Sequence, residues 1–204
     1  MANPFSPFGF RSFGHRDGSA PTMGLSKYTL NSSYATAIYT GDLIAYSSAV
    51  PGTVELASAS AVEPPCAVFA GCEYLDTNVG RVIWNKQFPG SVGSSSPVTV
   101  YGIGDPEMTY IAQASTGTIV GTSMIGFNIS WTIGSGNTTT GFSGAYLNSS
   151  VVNSTGVPWR VVDSYSNFAP PGASGASTDV AGGWLVVQPV GWERNTLTVT
   201  AVST

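Results

Sequence analysis

The sequence predicts an all-β fold, made of antiparallel β-barrel or sandwich units with an extended N-terminal arm. Three observations lead to this prediction. Gly and Pro, with 25 and 13 of the 204 residues, interrupt the chain too often for long helices. Between these breaks, apolar and polar residues alternate with the period of two that is typical of strands. The connecting stretches are rich in Gly, Ser, Asn and Asp, which favour turns.

The chain divides into an arm and two β units. Residues 1–27 are predicted to be extended, because three prolines and four glycines fall among them without any hydrophobic period. Residues 28–115 are assigned to a β-barrel-like domain. Residues 116–204 form a second β unit, which can also be continuous with the first.

The arm is unusually rich in aromatic rings. It carries four of the nine Phe residues of the chain, Phe5, Phe8, Phe10 and Phe13. A solvated tail has little use for so many apolar side chains, so we expect the rings to be buried against something. Two interpretations stay open: the rings close over the core of this protein, or they dock into a neighbouring subunit.

Within 28–115, the first strands follow from alternation and turn residues. A hairpin is predicted for 37–39 and 43–46, with Gly41-Asp42 as its turn. Residues 56–62 are predicted to form either a helical turn or an irregular link. Two antiparallel strands are predicted around a turn at Asp76–Gly80. The remaining strands are expected at 27–30, 98–101 and 108–111, and a small barrel would use all of these pieces.

In the second unit, one stretch shows a clear strand pattern. Polar residues or Gly separate five apolar residues that are predicted to face the core: Ile125, Phe127, Ile129, Trp131 and Ile133. The Ala169–Gly183 segment is a loop long enough to be functional or mobile. Further strands are predicted at 146–147, 151–152, 159–162 and 184–187, and the last of these forms a final hairpin with 197–201.

Composition narrows the function classes. Only 9% of the residues are charged, against about 25% in ordinary globular proteins. Such a low charge density produces little repulsion between copies, which suits a protein packed against neighbours and favours an extracellular or virion protein over a cytosolic enzyme. The net charge of −4, with scattered Lys and Arg, argues against nucleic-acid binding.

Targeting signals are also absent from the sequence. No window approaches the roughly 18 consecutive apolar residues of a membrane span, so we expect no membrane association. The N-terminus lacks the basic start and apolar stretch of a secretory signal, and synthesis and assembly in a cytoplasm are therefore expected.

Catalytic chemistry has few candidates. The one His, His15, lies in the arm, so a catalytic triad on it is not expected, and no known nucleophile or phosphate-binding motif occurs. Two carboxylate pairs, Glu73 with Asp76 and Asp105 with Glu107, flank predicted turns, where acids usually cap the backbone. We therefore predict no catalytic residues, no metal site and no cofactor, and the protein is not expected to be an enzyme.

The two cysteines and the tryptophans are predicted to be structural. Cys66 and Cys72 lie too far apart on one extended strand for a mutual disulfide, and we expect free, half-buried thiols. Five Trp and nine Tyr keep a carbohydrate-binding function open, because sugars stack on such rings. Four of the Trp lie in predicted strands, however, and for most of these we expect a place in the core: Trp84, Trp131, Trp159 and Trp184.

Four motifs carry a family resemblance. They are the Asn-Pro-Phe-Ser-Pro-Phe-Gly-Phe start of a Gly-rich basic stretch at 3–18, and the segments 35–42, 69–76 and 104–107. Together they resemble small virion structural proteins of tailed bacteriophages, of the capsid decoration or cement type. The resemblance covers residues 3–115 and does not extend over the remaining half.

The resemblance implies a non-enzymatic capsid accessory protein. Such a protein would bind the major capsid protein on the outer surface of the virion, stabilise the shell, and contact other copies of itself as a possible homo-oligomer after assembly in the host cytoplasm. The alternative is a receptor- or glycan-binding module of a phage tail or capsid fibre. The arm would supply aromatic anchors and two cations for shell carboxylates: Phe5, Phe8, Phe10, Arg11, Phe13 and Arg16.

Overall fold

A computed structural model describes residues 5–19, 24–31, 33–59, 65–92, 97–116, 119–152, 157–165, 180–190 and 192. Almost all regular structure in these residues is β, apart from one short 3-10 helix, so the all-β prediction is confirmed. The predicted strand at 197–201 and most of the predicted loop at 169–183 lie outside the described residues. The 3-10 helix is Thr122–Met124, and the strands are β1 Arg11–His15, β2 Ser26–Leu30, β3 Ile38–Tyr39, β4 Leu43–Tyr46, β5 Val54–Leu56, β6 Ala67–Asp76, β7 Arg81–Asn85, β8 Gln87–Phe88, β9 Val98–Ile103, β10 Met108–Gln113, β11 Ile119–Val120, β12 Asn128–Thr132, β13 Tyr146–Val152, β14 Trp159–Tyr165, β15 Val180–Ala181 and β16 Trp184–Pro189.

The first half of the chain forms a closed five-stranded barrel. The strands pair in the order β4-β5-β2-β9-β6, and β6 pairs with β4 to close the circle. The β2–β5 pair is parallel and the other pairs are antiparallel. Strand β7 is added to β6 through the predicted turn at Asp76–Gly80, which confirms that antiparallel pair. After β5, the chain continues as an irregular link up to residue 59.

The second half forms a six-stranded antiparallel sheet in the order β1-β10-β16-β14-β12-β13. Ala114, which follows β10, forms a bridge with Leu147 of the end strand β13. Strand pairing does not follow the predicted boundaries at residues 27 and 115, because β1 comes from the arm and β10 from the range assigned to the barrel. The apolar face of β10, with Met108 and Tyr110 buried, packs in the core of this sheet instead.

The predicted hairpin between 37–39 and 43–46 is wrong. Strand β3 pairs with β8, and β4 pairs with β5 and β6. The Gly41-Asp42 turn is present, with the Asp42 amide donating to the Tyr39 carbonyl at 2.9 Å. Its Gly41 amide, however, donates to Phe69 of β6 at 2.9 Å, so the turn leads the chain into the barrel wall rather than back along β3.

The predicted core face at 125–133 is only partly correct. Ile129 and Trp131 are buried, but Ile125, Phe127 and Ile133 are 43%, 39% and 38% exposed. The reason is that β12 covers only 128–132: the 3-10 helix and a turn precede it, and irregular chain begins at Ile133, so the alternation holds only within the strand.

Two apolar clusters hold the fold together. The barrel interior combines aliphatic side chains such as Leu30 and Val100 with Phe and Tyr rings such as Phe69. The second cluster contains three buried Trp rings, and it also includes side chains from the barrel strands such as Leu43 and Val68, so the barrel and the sheet share it. Each fully buried Val, Leu or Phe side chain in these clusters contributes about 1.5–3 kcal/mol of hydrophobic stabilisation.

Candidate functional site

The N-terminal segment from Phe5 to His15 lies on the surface of the protein's own body. Its backbone is held by the Gly9 amide, which donates to Ala145 at 3.2 Å, and by the Phe10 amide, which donates to Gly41 at 2.9 Å. Gly9 has a φ of +77°, and a Cβ there would lie 2.7 Å from the Cβ of Ser143, so the close approach requires glycine. The following residues continue as β1 along β10.

Phe10 is a core residue, which corrects its assignment to a capsid-binding arm. It is 2% exposed, and its ring is stacked on Trp159 at a centroid distance of 4.5 Å, with Trp131 at its edge at 6.4 Å. The explanation is geometric: the ring fills the aromatic cluster behind the six-stranded sheet, where no partner can reach it. For this ring, the interpretation that the arm closes over the protein's own core is correct.

The other three rings of the segment lie at the surface. Phe5 and Phe13 are 46% and 50% exposed, and Phe8 is half-buried. Each makes an edge-on contact with an aromatic residue of the six-stranded sheet, at centroid distances of 5.1 to 5.9 Å. These contacts fix the rings against the body while leaving part of each ring open to solvent.

The two predicted cations of the arm are separated. Arg11 lies over the Phe8 ring at 5.4 Å and over the Phe142 ring at 4.3 Å. Arg16 follows the end of β1, about 16 Å further along an extended chain. A second cation, which was not predicted from the sequence, lies over the same ring as Arg11: the Nζ of Lys86 is 4.8 Å from the centroid of Phe142.

An open groove of about 580 Å³ runs between residues 5–8 and the loop 134–146. Its walls carry four aromatic rings, and Ser135 and Asn137 add polar groups. Asn137 Oδ1 accepts hydrogen bonds from the amides of Thr139 and Thr140 at 2.9 and 3.0 Å, which makes the loop a defined turn. The rings are those of Phe5, Phe8, Phe142 and Tyr146.

No local pattern in the sequence marks this groove. Its residues come from the arm and from the loop before β13, and only the tertiary fold brings these together. The one available signal was that aromatic residues directly follow the Gly-rich turn at 134–141.

A buried carboxylate joins the groove loop to the barrel. Asp42 is 3% exposed; it accepts a hydrogen bond from the Ser143 hydroxyl and another from the Tyr39 amide at 2.7 Å. Burial raises the pKa of Asp42 to about 6, and the two hydrogen bonds oppose that shift. Beside it, the Thr40 amide donates to Gly141 at 3.1 Å, so the floor of the groove is fixed to the barrel.

The predicted carboxylate pairs have structural roles. Glu73 accepts a hydrogen bond from the Tyr101 hydroxyl at 2.9 Å, and Asp76 caps the β6–β7 turn through the Asn78 amide at 2.8 Å. Asp105 lies 3.2 Å from His15 and accepts the Glu107 amide at 2.9 Å. Among the residues that the structure describes, no group of three or more His, Cys, Asp or Glu is placed to hold a metal ion.

The cysteines and tryptophans divide between core and surface. Cys66 and Cys72 form no disulfide and are fully buried rather than half-buried, and burial raises the pKa of the Cys72 thiol to about 12, which keeps it protonated. Trp131 and Trp159 are buried as predicted. Trp184 is half-buried, but Trp84 on the edge strand β7 is 58% exposed and contradicts the expectation of a core position.

Comparison with known proteins identifies no relative: no family model, no curated protein and no solved structure matches this chain. In the described part of the chain, no helix has the length and apolar character needed to cross a membrane.

Proposed function

We propose that this chain is a non-enzymatic capsid accessory protein that binds the major capsid protein on the outer surface of a phage head and stabilises the shell. The observation that carries the proposal is the aromatic groove formed by the N-terminal segment and the loop 134–146. The identity of the partner and the location on the virion come from the resemblance of residues 3–115.

The groove has the properties of a protein-binding surface. Aromatic residues and Arg dominate the energetics of protein interfaces, and here Phe5, Phe142, Tyr146 and Arg11 lie together on a rigid support. A surface that is already ordered loses little conformational entropy on binding. Repetition of the same contact over a shell then adds avidity, while the low charge of the chain permits close packing with other copies of itself.

The structure changes how the proposal is best tested. Deleting the first twenty residues would remove Phe10 from the core, so a loss of binding could simply reflect unfolding. The sharper variant combines Phe5→Ala with Tyr146→Ala, because this pair of rings lines the groove and neither residue is fully buried. The matched control is Trp84→Ala, an exposed aromatic residue on β7.

Purified phage heads lacking this protein provide the assay. We expect the wild-type chain and the Trp84→Ala control to co-sediment with heads, at a stoichiometry comparable to that of the major capsid protein. The double variant should bind at least about tenfold more weakly, since two interface rings together contribute well over 1.4 kcal/mol. Absence of wild-type binding, or a stoichiometry limited to a single vertex, would overturn the proposal.

A receptor- or glycan-binding module is the second candidate. The observation that favours it is that Ser135 and Asn137 lie in the same groove as the aromatic rings, a combination that can stack on and hydrogen-bond a sugar. A glycan array probed with the wild-type chain and with the Phe5→Ala, Tyr146→Ala variant distinguishes the two. Sugar binding that disappears in the double variant would favour this candidate over shell binding.

A further inference from the structure

We propose that the groove accepts an extended acidic segment of the partner protein, whose carboxylates pair with Arg11 and Lys86 next to the Phe142 ring. This inference adds the chemistry of the ligand to the proposed function, and it depends on that function only for the identity of the partner. It assigns a role to Lys86 and excludes Arg16 from the site.

The first argument is the convergence of two scarce cations. The chain has seven Lys and Arg against eleven Asp and Glu, so cations are the scarcer charge. Arg11 and Lys86 lie over the same ring, at 4.3 and 4.8 Å from its centroid. Among the described residues, neither has a carboxylate within ion-pair distance, and the ion pair found there is His15 with Asp105.

The second argument concerns the repulsion between the two charges. Both lie within 5 Å of one centroid, so they are less than a Debye length of about 10 Å apart and repel each other. Cation–π attraction at an exposed site contributes only about 0.5–1 kcal/mol to each. A carboxylate placed between them would relieve the repulsion and form charge-assisted hydrogen bonds with both.

The third argument is that both side chains are held in place. Arg11 begins β1, where it is paired with Ile111 of β10. The stem of Lys86 lies over Gly141, where a Cβ would be 2.8 Å from its Cε, and its carbonyl accepts a hydrogen bond from the Thr40 hydroxyl. Since these backbones are fixed, an incoming carboxylate meets two cations that are already oriented.

The shape and charge of the surroundings indicate the class of ligand. Aromatic walls next to the cations suit a ligand segment in which apolar and acidic side chains alternate. Such an extended segment can place its apolar side chains in the groove and its acidic side chains at Phe142. A nucleic acid would need a longer basic track, and the net charge of −4 opposes it. The observations therefore favour an acidic protein segment.

The test measures peptide binding by fluorescence anisotropy. The probe is a labelled ten-residue peptide of alternating Ser and Glu with one central Phe, and its comparison peptide has Gln at every Glu. The variants are Arg11→Gln, Lys86→Gln and their combination. The matched controls, Arg16→Gln and Arg160→Gln, each remove one exposed cation elsewhere.

We expect each single variant to weaken binding of the Glu peptide about fivefold and the double variant about twentyfold, as for exposed ion pairs of about 1 kcal/mol. The double variant should also reduce the salt dependence, while both controls stay within about twofold of wild type. Equal binding of the Gln peptide, an equal loss in the controls, or stronger binding of a single-stranded oligonucleotide would overturn the inference.

Binding of the same variants to phage heads separates this inference from the proposed function. If wild-type chain binds heads and the Arg11→Gln, Lys86→Gln variant binds them equally well, the inference fails and the proposed function stands. If the peptide results are as expected but wild-type chain does not bind heads, the proposed function fails and the acidic-peptide site stands. Because both side chains are exposed, thermal unfolding should confirm that the double variant remains folded.

Discussion

The barrel and the six-stranded sheet complete their cores in different ways. The barrel closes through backbone pairing of β4 with β6, and its interior holds aliphatic side chains, Phe and Tyr rings and the two cysteines. In the sheet, the residues that follow β10 meet β13 at the bridge between Ala114 and Leu147, and the interior holds three Trp rings besides its aliphatic side chains. Two of the rings in this interior, Phe10 and Trp192, come from outside the strands of the sheet.

This difference gives the N-terminal segment two roles. Phe10 completes the core of the sheet, and in doing so it places Phe5, Phe8 and Arg11 at the rim of the groove. The barrel meets the segment at the Gly41 turn and at side chains such as Val68 and Ile103. The segment is therefore a structural part of the sheet and, at the same time, one wall of the candidate binding surface.

The largest effect is expected from Phe10→Ala. Removing a fully buried ring that is stacked on Trp159 leaves a cavity, and substitutions of this kind cost about 3–5 kcal/mol. Urea unfolding followed by circular dichroism measures the loss. The control is Phe13→Ala, whose ring is half exposed, with an expected loss of about 1 kcal/mol or less. A loss below about 1 kcal/mol for Phe10→Ala would mean that the sheet does not depend on the segment.

A smaller, pH-dependent effect is expected from Asp42, which joins the two regions. Its pKa of about 6 in the folded protein lies above its ordinary value of 3.8, so the folded state holds the proton more tightly than the unfolded state. Its contribution to stability is therefore complete below pH 3.8 and is lost as the pH rises through about 6. The change over this window is at most about 3 kcal/mol.

The Asp42→Asn variant tests this assignment. Its free energy of unfolding should lack the decline between pH 4 and 6, whereas the exposed Asp163→Asn control should keep it. Urea unfolding at a series of pH values measures both slopes. A decline of equal size in Asp42→Asn would show that another group causes it.

Much of the fold could be predicted from local patterns. Alternation located β2 and β9, short apolar runs located β4 and β16, and the Asp76–Gly80 turn identified the β6–β7 pair, because these signals depend only on neighbouring residues. Pairing partners were not predictable in the same way. The Gly41-Asp42 turn suggested a hairpin, but the Gly41 amide donates its hydrogen bond to β6. The spacing of residues in the sequence does not indicate that bond.

The candidate site was predictable only in part. The density of Phe in the arm correctly marked it as a segment whose rings contact something, but not which ring enters the core. Phe10 directly precedes β1, where Gly9 with its φ of +77° and the bond from the Phe10 amide to the Gly41 carbonyl turn the ring into the core, and neither feature follows from the local sequence. Lys86 and Phe142 were missed, since they approach Arg11 only after the barrel and the sheet have come together.

The smallest effect concerns the outer surface of the barrel, where an exposed ring should matter little to the core. Trp84 lies across Gly71, and a Cβ at that position would be 2.6 Å from its Cζ2 atom. Gly71→Ala should therefore displace the indole, which is exposed and can move aside, and it also strains the backbone, because Gly71 has a φ of +158° that residues with a side chain rarely adopt; together we expect a cost of about 1–3 kcal/mol. In a Trp84→Ala background the same substitution should cost measurably less by urea unfolding, since the clash with the indole is gone and the backbone strain remains. Equal costs in both backgrounds would mean that the indole moves aside freely and that the backbone conformation and the Asn85 carbonyl, at 3.1 Å from the new Cβ, set the penalty.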